Sequence, residues 1–298
     1  MPLLVLIVFI IAFIVFCSTS KERKYNKTEY AKVTGLKYKD VMSDVGRSGE
    51  YLTYEELTRV PGYKRFLFNC LLPAKDGNTT EIDILMIHAS GIYVFECKNY
   101  KGWIFGNESQ RIWTQALSNG KGKKAQKEHF YNPMMQNASH IRWLEKYLNG
   151  LYPGKIYSYI IFGDKCSFKS VTQTEHQHSL AHVGELSRMI GYDVKARGSV
   201  FSNEFIDKIY DKLYPLSQKT EQERAEHVSQ VKNIQKMQRN NAEIKERKPV
   251  LNQTAPLNTA AAHNAPPWAA YSKPDQPKEE TKTEYCTAAT GIPPWRKE

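Results

Sequence analysis

Asp83, Glu96 and Lys98 are the residues of this sequence whose types and spacing suit chemistry. The run Ile92-Tyr93-Val94-Phe95-Glu96-Cys97-Lys98 is apolar until its end. In an extended strand side chains alternate, so Ile92, Val94, Glu96 and Lys98 share one face and Tyr93, Phe95 and Cys97 the other. In the preceding run Glu81, Asp83, Leu85 and Ile87 share a face. Ala89-Ser90-Gly91 makes a tight turn between the runs, and reflection about it puts Asp83 opposite Glu96. Two carboxylates and a lysine then converge. Paired carboxylates bind a hard divalent cation such as Mg2+ or Mn2+ through oxygen. Such a cation polarises a phosphoryl group and acidifies a bound water, while a lysine orients that water or stabilises developing charge. A lone acidic-x-Lys is more often a surface cross-strand pair worth little. The paired Asp83 and the flanking Gly and Trp pattern lift this site above that reading.

Other candidates are weaker. Gln115 and Gln136 have the chemistry to contact substrate or a metal-bound water, although a surface glutamine is the plainer reading of each. His176, His178 and His182 cluster, but no nearby Cys or acidic pattern completes a metal site, so a polar loop is the default. Trp103 and Trp113 read as core packing rather than base-stacking platforms.

The elements that must position these residues follow from periodicity. A helix starts near Ser48, with Tyr51, Leu52, Tyr54, Glu55 and Leu57 at helical spacing, and Pro61-Gly62 ends it. Arg65 to Leu72 reads as a strand, Pro73 to Thr80 as a turn, and Glu81 to His88 and Ile92 to Lys98 as two strands. Trp103 to Phe105 is expected to pair back. Asn132-Pro133 opens a helix striped by Met134, Ala138, Ile141, Leu144 and Leu148. Pro153-Gly154 closes that region. Ile156 to Phe162 is apolar throughout, as a strand buried on both faces would be. Helices follow near Gly184 to Ile190 and Ser202 to Leu213, and Pro215 marks a boundary. The order predicts an α/β fold with a mixed central sheet flanked by helices. Beyond Pro215 a charged stretch carries a thin stripe of Val228, Val231, Ile234 and Met237. From Pro249 the chain is rich in Pro, Ala, Thr and Lys, the composition of a disordered tail. Two copies of Pro-Pro-Trp, ending at Trp268 and Trp295, would suit a docking motif, but chance repetition explains them as well.

The 298 residues suffice for one or two domains. Pro2 to Cys17 is uncharged and almost wholly aliphatic or Phe. It is short against the roughly 17–25 residues of a membrane span, and Met1, Ser18 and Thr19 bring it within reach. No Lys or Arg precedes it, as a signal peptide requires, and Ile14-Val15-Phe16-Cys17 makes a poor cleavage site. An uncleaved anchor fits best. Lys21, Arg23, Lys24 and Lys27 follow it and would stay cytoplasmic. Five scattered cysteines form no CxxC pair and suggest neither a disulfide framework nor a zinc ribbon. The net charge of +11 permits phosphate binding without showing it. Lys121, Lys123, Lys124 and Lys127 read equally as a solvated loop.

The stretch resembles the nuclease-related domain (NERD) family, a branch of the PD-(D/E)XK nuclease superfamily. The resemblance rests on Gly46-Arg47-Ser48-Gly49-Glu50, Glu81-Ile82-Asp83-Ile84, Ser90 through Gly106, Trp113 and Asn132-Pro133-Met134-Met135-Gln136. It covers about Val45 to Gly163. It implies a restriction-endonuclease-like fold and a metal site from Asp83, Glu96 and Lys98, with Glu50 contributing from the first helix. Cys97 departs from the small apolar residue usual there, which is harmless for a core-facing side chain. The expected organisation is a transmembrane anchor (1–19), a juxtamembrane linker (20–44), a nuclease-related domain (45–214), a charged helical segment (215–248) and a disordered Pro-rich tail (249–298). The expected protein is a single-pass, cytoplasm-facing nuclease acting on nucleic acid, DNA in the first instance, with Mg2+ or Mn2+. The alternatives are a non-catalytic scaffold on the same fold and a membrane protein whose protein partner docks on the tail.

Overall fold

The structure, a computed structural model, describes residues 6–7, 10, 19–120, 123–152, 154–174 and 177–247, with side chains as far as 234. Three helices lead: α1 (Glu29–Thr34), α2 (Tyr38–Ser43) and α3 (Val45–Thr58). Asp44, not Ser48, caps α3, its carboxylate accepting from the Arg47 N–H at 2.8 Å. Strands β1 (Lys64–Pro73), β2 (Thr79–His88) and β3 (Gly91–Lys98) form a meander. Next come β4 (Gly102–Asn107), β5 (Ile112–Leu117), β6 (Gln126–Tyr131), helix α4 (Pro133–Leu148) and β7 (Ile156–Phe162). The chain continues through β8 (Cys166–Thr172), β9 (His178–His182), α5 (Val183–Arg197), α6 (Asn203–Ser217) and α7 (Glu221–Arg247).

The strands make two mixed sheets rather than the one expected. A five-stranded sheet runs β1-β2-β3-β7-β9 and a four-stranded sheet runs β6-β5-β4-β8. β4 therefore does not pair back on β3; it pairs with β5 and, in parallel, with β8. The five-stranded sheet is covered on both sides. On one side Phe66, Phe68, Ile84, Met86, Tyr93 and Phe95 meet the helices α1 to α3 and α5. On the other Leu67, Leu85, Ile87, Ile92 and Val94 meet α4 and α6. Burial on both faces explains the unbroken apolar run of β7.

Residues 20–44 are not a linker. Residues 19–26 are helical, α1 and α2 follow, and Tyr25, Tyr30, Val33 and Val41 are buried. Tyr30 packs edge-on against Phe68, ring centres 4.7 Å apart, and Tyr25 against Tyr51 at 5.1 Å. Truncating a fully buried aromatic costs about 3–5 kcal/mol. Tyr30→Ala should therefore lower the unfolding free energy, read from urea denaturation, by that much. A change within about 0.5 kcal/mol, the size of an ordinary surface substitution, would return the segment to a linker.

Pro215, read as a boundary, lies inside α6. The charged segment is helical, as expected. To residue 242 it belongs to the same unit as the sheets, with Val228 and Ile234 exposed rather than striped into a core. Residues 243–298 form a second unit, described only as helical backbone to Arg247. The tail, with its Pro-Pro-Trp copies, lies outside the described residues. So does the apolar N-terminal run, apart from Leu6, Ile7, Ile10 and Thr19, which are helical. Among the described residues no helix is long and apolar enough to cross a membrane.

Candidate active site

The β2–β3 hairpin sets the register. Ile84 faces Phe95, Leu85 faces Val94 and His88 faces Gly91, the reflection expected from the turn. The regular ladder stops there, one step before Asp83 and Glu96. Ile82 joins the same apolar cluster as Leu85 and Ile87, while Ile84 and Met86 join the other. The in–out alternation therefore slips across Asp83. Its neighbour in β1 slips too: Asn69 has φ +49° and is skipped in the β1–β2 pairing between Phe68–Ile84 and Cys70–Ile82. Asn69 and Asp83 stand opposite each other with no extra residue on either strand, so the left-handed turn at Asn69, not a bulge, breaks the ladder and re-aims the side chains. Asp83 is thereby turned toward the end of β3, where its Oδ2 accepts the Cys97 backbone N–H at 2.7 Å.

Glu96 is 1% exposed. Its Oε1 accepts from Lys98 Nζ at 2.5 Å, and its Oε2 meets His140 Nε2 at 3.1 Å. His140 in turn meets Thr80 Oγ1 through Nδ1 at 2.6 Å. Helix α4 supplies both His140 and Gln136, whose Oε1 accepts from Lys98 at 3.3 Å. Asn132 caps that helix and Pro133 opens it, as expected. Its buried stripe, however, is Met134, Asn137, His140, Leu144 and Leu148, rotated off Ala138 and Ile141. That rotation carries His140 inward.

Glu50 projects from α3 and accepts from Asn69 Nδ2 at 3.0 Å and from the Tyr30 hydroxyl at 3.4 Å. Burial, with Glu81 adding repulsion, pushes its carboxyl up to about 7. Asp83 is raised well above the carboxylate range, first by burial and then by the negative charges of Glu96 and Glu50. Lys98 and the Cys97 N–H oppose that rise without cancelling it. Burial pushes Glu96 the same way, but Lys98 and His140 outweigh it and hold Glu96 below its usual value. Burial would depress Lys98, yet Glu96 and Asp83 raise it, so it stays an ammonium. Three carboxyl groups thus press on one another around one ammonium.

Carboxyl groups whose ionisation is opposed by burial and by one another fit a hard divalent cation, whose charge would relieve that repulsion. Among the described residues no three His, Cys, Asp or Glu side chains stand close enough to hold an ion alone. A Mg2+-type ion needs only one or two carboxylates and fills its other positions with water or phosphate oxygens. Asp83 and Glu96 would hold it.

The structure brings Asp83, Glu96, Lys98, Gln136 and Glu50 together. Gln115 is elsewhere: it is buried in the four-stranded sheet, its amide donating to the Lys101 carbonyl at 2.8 Å. Trp113 is fully buried as expected, whereas Trp103 is 45% exposed. His178 meets Ser158 Oγ at 2.6 Å and His182 packs on Phe168, so these two gather no metal site, and His176 lies outside the described residues. The sequence reading missed His140, Asn69 and Thr80. The signal for His140 was there: Pro133, Asn137, His140 and Leu144 recur at helical spacing.

It also missed α7. Arg224 donates to the Asn69 carbonyl at 3.3 Å and to the Ser217 carbonyl at 2.8 Å. His227 Nδ1 meets Thr79 Oγ1 at 2.8 Å, and Gln230 accepts from the Thr79 N–H at 3.3 Å. A cavity of about 420 Å³ lies between this helix and the β1–β2 turn, lined by Leu71, Thr79, Tyr147 and Glu226 among others.

Comparison with known proteins agrees with the geometry. Residues 45–163 match the model of the nuclease-related domain family. Over 146 residues the chain is 32% identical to an uncharacterized protein of Bacillus anthracis, a match covering 49% of this chain and 65% of that relative. The chain thus spans just under two thirds of the relative's length. No solved structure matches the chain.

Proposed function

We propose, from the premise that residues 45–163 form a nuclease-related domain, that the chain hydrolyses phosphodiester bonds of nucleic acid, DNA in the first instance, with Mg2+ or Mn2+. In this reading residues 1–19 tether the domain to a membrane and Lys21 onward faces the cytoplasm, which the placement of positive charge after the apolar run supports. The observation that carries the hydrolase reading is the convergence of Asp83, Glu96 and Lys98 in one shielded patch where carboxyl groups oppose one another's ionisation. A bound cation would polarise the phosphoryl group and acidify a water. Asp83 is held by the Cys97 N–H through one oxygen, which leaves the other for a ligand. His140 fixes the Glu96 carboxylate in orientation. Gln136 holds the Lys98 ammonium beside it, positioned against charge developing on a phosphate oxygen.

A second reading, a non-catalytic scaffold on the same fold, draws on one observation: both Glu96 oxygens already have protein partners. A thermal melt separates the two. A ligand that binds only the folded state stabilises it by about 2.7 kcal/mol at a hundredfold excess over Kd. For a domain of this size that is roughly 5–10 °C. Mg2+ or Mn2+ should raise the melting temperature by that order, and Ca2+ or Mg2+ replaced by K+ at equal ionic strength serves as the charge control. No shift with either Mg2+ or Mn2+ favours the scaffold.

A further inference from the structure

The four-stranded sheet has two faces of opposite character. Inward, Ile104, Trp113 and Phe168 pack on Ile160 and Phe162. The register assigns the other face. Trp103 stands opposite Ala116, and Ala116 opposite Lys127. Phe105 stands opposite Thr114, and Thr114 opposite His129; Ile112 stands opposite Tyr131. Trp103 is 45% exposed, Ile112 48% and Tyr131 36%. Lys169, on the partner strand β8, lies over the Trp103 ring at 5.5 Å, and the Arg111 guanidinium over Tyr131 at 6.0 Å. None of these outward positions carries an Asp or Glu. Glu128, exposed on the edge strand β6, shares the rung of Gln115 and so stands on the opposite side of the strand from Lys127 and His129.

A water-facing surface that combines bare aromatic rings with cations and lacks carboxylates matches a flexible polyanion bearing flat apolar groups. A protein partner's apolar face would cover the rings but leave the cations unmatched. A duplex would meet the cations but keeps its bases stacked inside, so the rings gain nothing. A single strand satisfies both, because its bases stack on aromatic side chains while its phosphates are neutralised. The geometry points to the outward face of this sheet, Trp103, Phe105, Ile112 and Tyr131 with Lys127 and Lys169, as a binding platform for single-stranded nucleic acid. β6 is an edge strand, and its inward Phe130 packs on Tyr100 with ring centres 4.7 Å apart, just beyond Lys98 in sequence. This platform rests on the reading of the chain as a nucleic-acid hydrolase and names the state of its substrate.

The test is fluorescence anisotropy of labelled oligothymidylate on the full chain in detergent, with EDTA present to prevent cleavage. The expected result is binding of the single strand in preference to a duplex of equal length. Trp103→Ala should weaken it at least fivefold, since each stacked base contributes about that factor or more, while Trp103→Phe retains most of it. Lys169→Ala should reduce the dependence of binding on salt. Because Trp103 is half exposed, its melting temperature should stay near that of the wild type. Absence of single-strand binding overturns the platform, as does a Trp103→Ala variant that binds like the wild type or a Trp103-dependent self-association in place of oligonucleotide binding. The two readings fail separately. Trp103-dependent binding without metal-dependent cleavage keeps the platform and removes the hydrolase. Cleavage by Trp103→Ala with an unchanged KM does the reverse.

Discussion

If the chain is the proposed hydrolase, Asp83→Asn should lower metal-dependent cleavage by about a thousandfold or more, and in the absence of metal should leave the protein as stable as the wild type or slightly more so. The first half follows from the loss of a charged oxygen ligand. A bound cation supplies several kcal/mol of transition-state stabilisation, and each 1.36 kcal/mol is a factor of about ten in rate. The second half follows from electrostatics. The Asp83 carboxyl titrates above its unfolded value because it is buried beside Glu96 and Glu50. A raised folded pKa means that its contribution to stability is present at low pH and lost as pH rises through the folded value, so a negative charge on this group works against the fold. Asparagine keeps an oxygen for the Cys97 N–H and removes the charge. Adding Mg2+ or Mn2+ should then reverse the order of the two proteins, because only the wild type gains from the ion. Cleavage of a labelled oligonucleotide and thermal melts with and without metal check both halves. A variant that cuts like the wild type, or one that melts several degrees lower without metal, contradicts the site.

Lys98→Ala should also lose turnover, but with the opposite effect on the fold. Glu96 is almost wholly shielded from solvent and owes its depressed pKa to Lys98 and His140. Removing the ammonium leaves a buried carboxylate with His140 alone. Breaking one partner out of such a pair costs about 3–5 kcal/mol, which should appear as a clearly lowered denaturant midpoint. Lysine is not a ligand for a hard cation, so metal affinity should fall far less than turnover. A divalent cation should restore part of the lost stability by supplying positive charge beside Glu96, without restoring cleavage. The measurements are a denaturant titration, the metal-induced melting shift and single-turnover cleavage of the same variant. Turnover close to the wild type would remove Lys98 from the chemistry and leave it a structural counter-ion.

The parts of the fold that were legible in the sequence are those where pattern and turn chemistry agree. The β2–β3 hairpin was legible because two apolar runs flank Ala89-Ser90-Gly91, a turn that admits one reflection. β7 was legible because burial on both faces makes an unbroken apolar run, and α4 because Asn132-Pro133 is a cap followed by a fixed φ. The second sheet was not. β6, Gln126–Tyr131, is polar and largely exposed, and β8 carries a register shift beside Lys169, so neither keeps a clean period of two. Residues 20–44 were misread because their core contacts are made by tyrosines among lysines. A tyrosine counts as polar in a composition and as a large apolar surface in a packed helix. Of the site, the approach of Asp83 to the Glu96 and Lys98 end of β3 was legible from the hairpin reflection, although alternation slips across Asp83. His140 sits on a helical stripe of its own with Pro133, Asn137 and Leu144, but the apolar stripe through Ala138 and Ile141 masks that rotation of α4. α7 was invisible as a neighbour of the site because hydrogen bonds from Arg224, His227 and Gln230, not an apolar stripe, hold it there.

The left-handed backbone of Asn69 has a mechanical meaning. Turning that one peptide out of the β1 ladder releases its carbonyl to Arg224 of α7 while its side-chain amide reaches Glu50 of α3. One residue is therefore a shared fastener for two helices that are otherwise distant in sequence, one inside residues 45–163 and one beyond them. The same residue thus meets α7 through its backbone and the Glu50 carboxylate through its side chain. A fragment cut at residue 163 or 214 would keep every residue of the carboxylate cluster and still lose that anchorage.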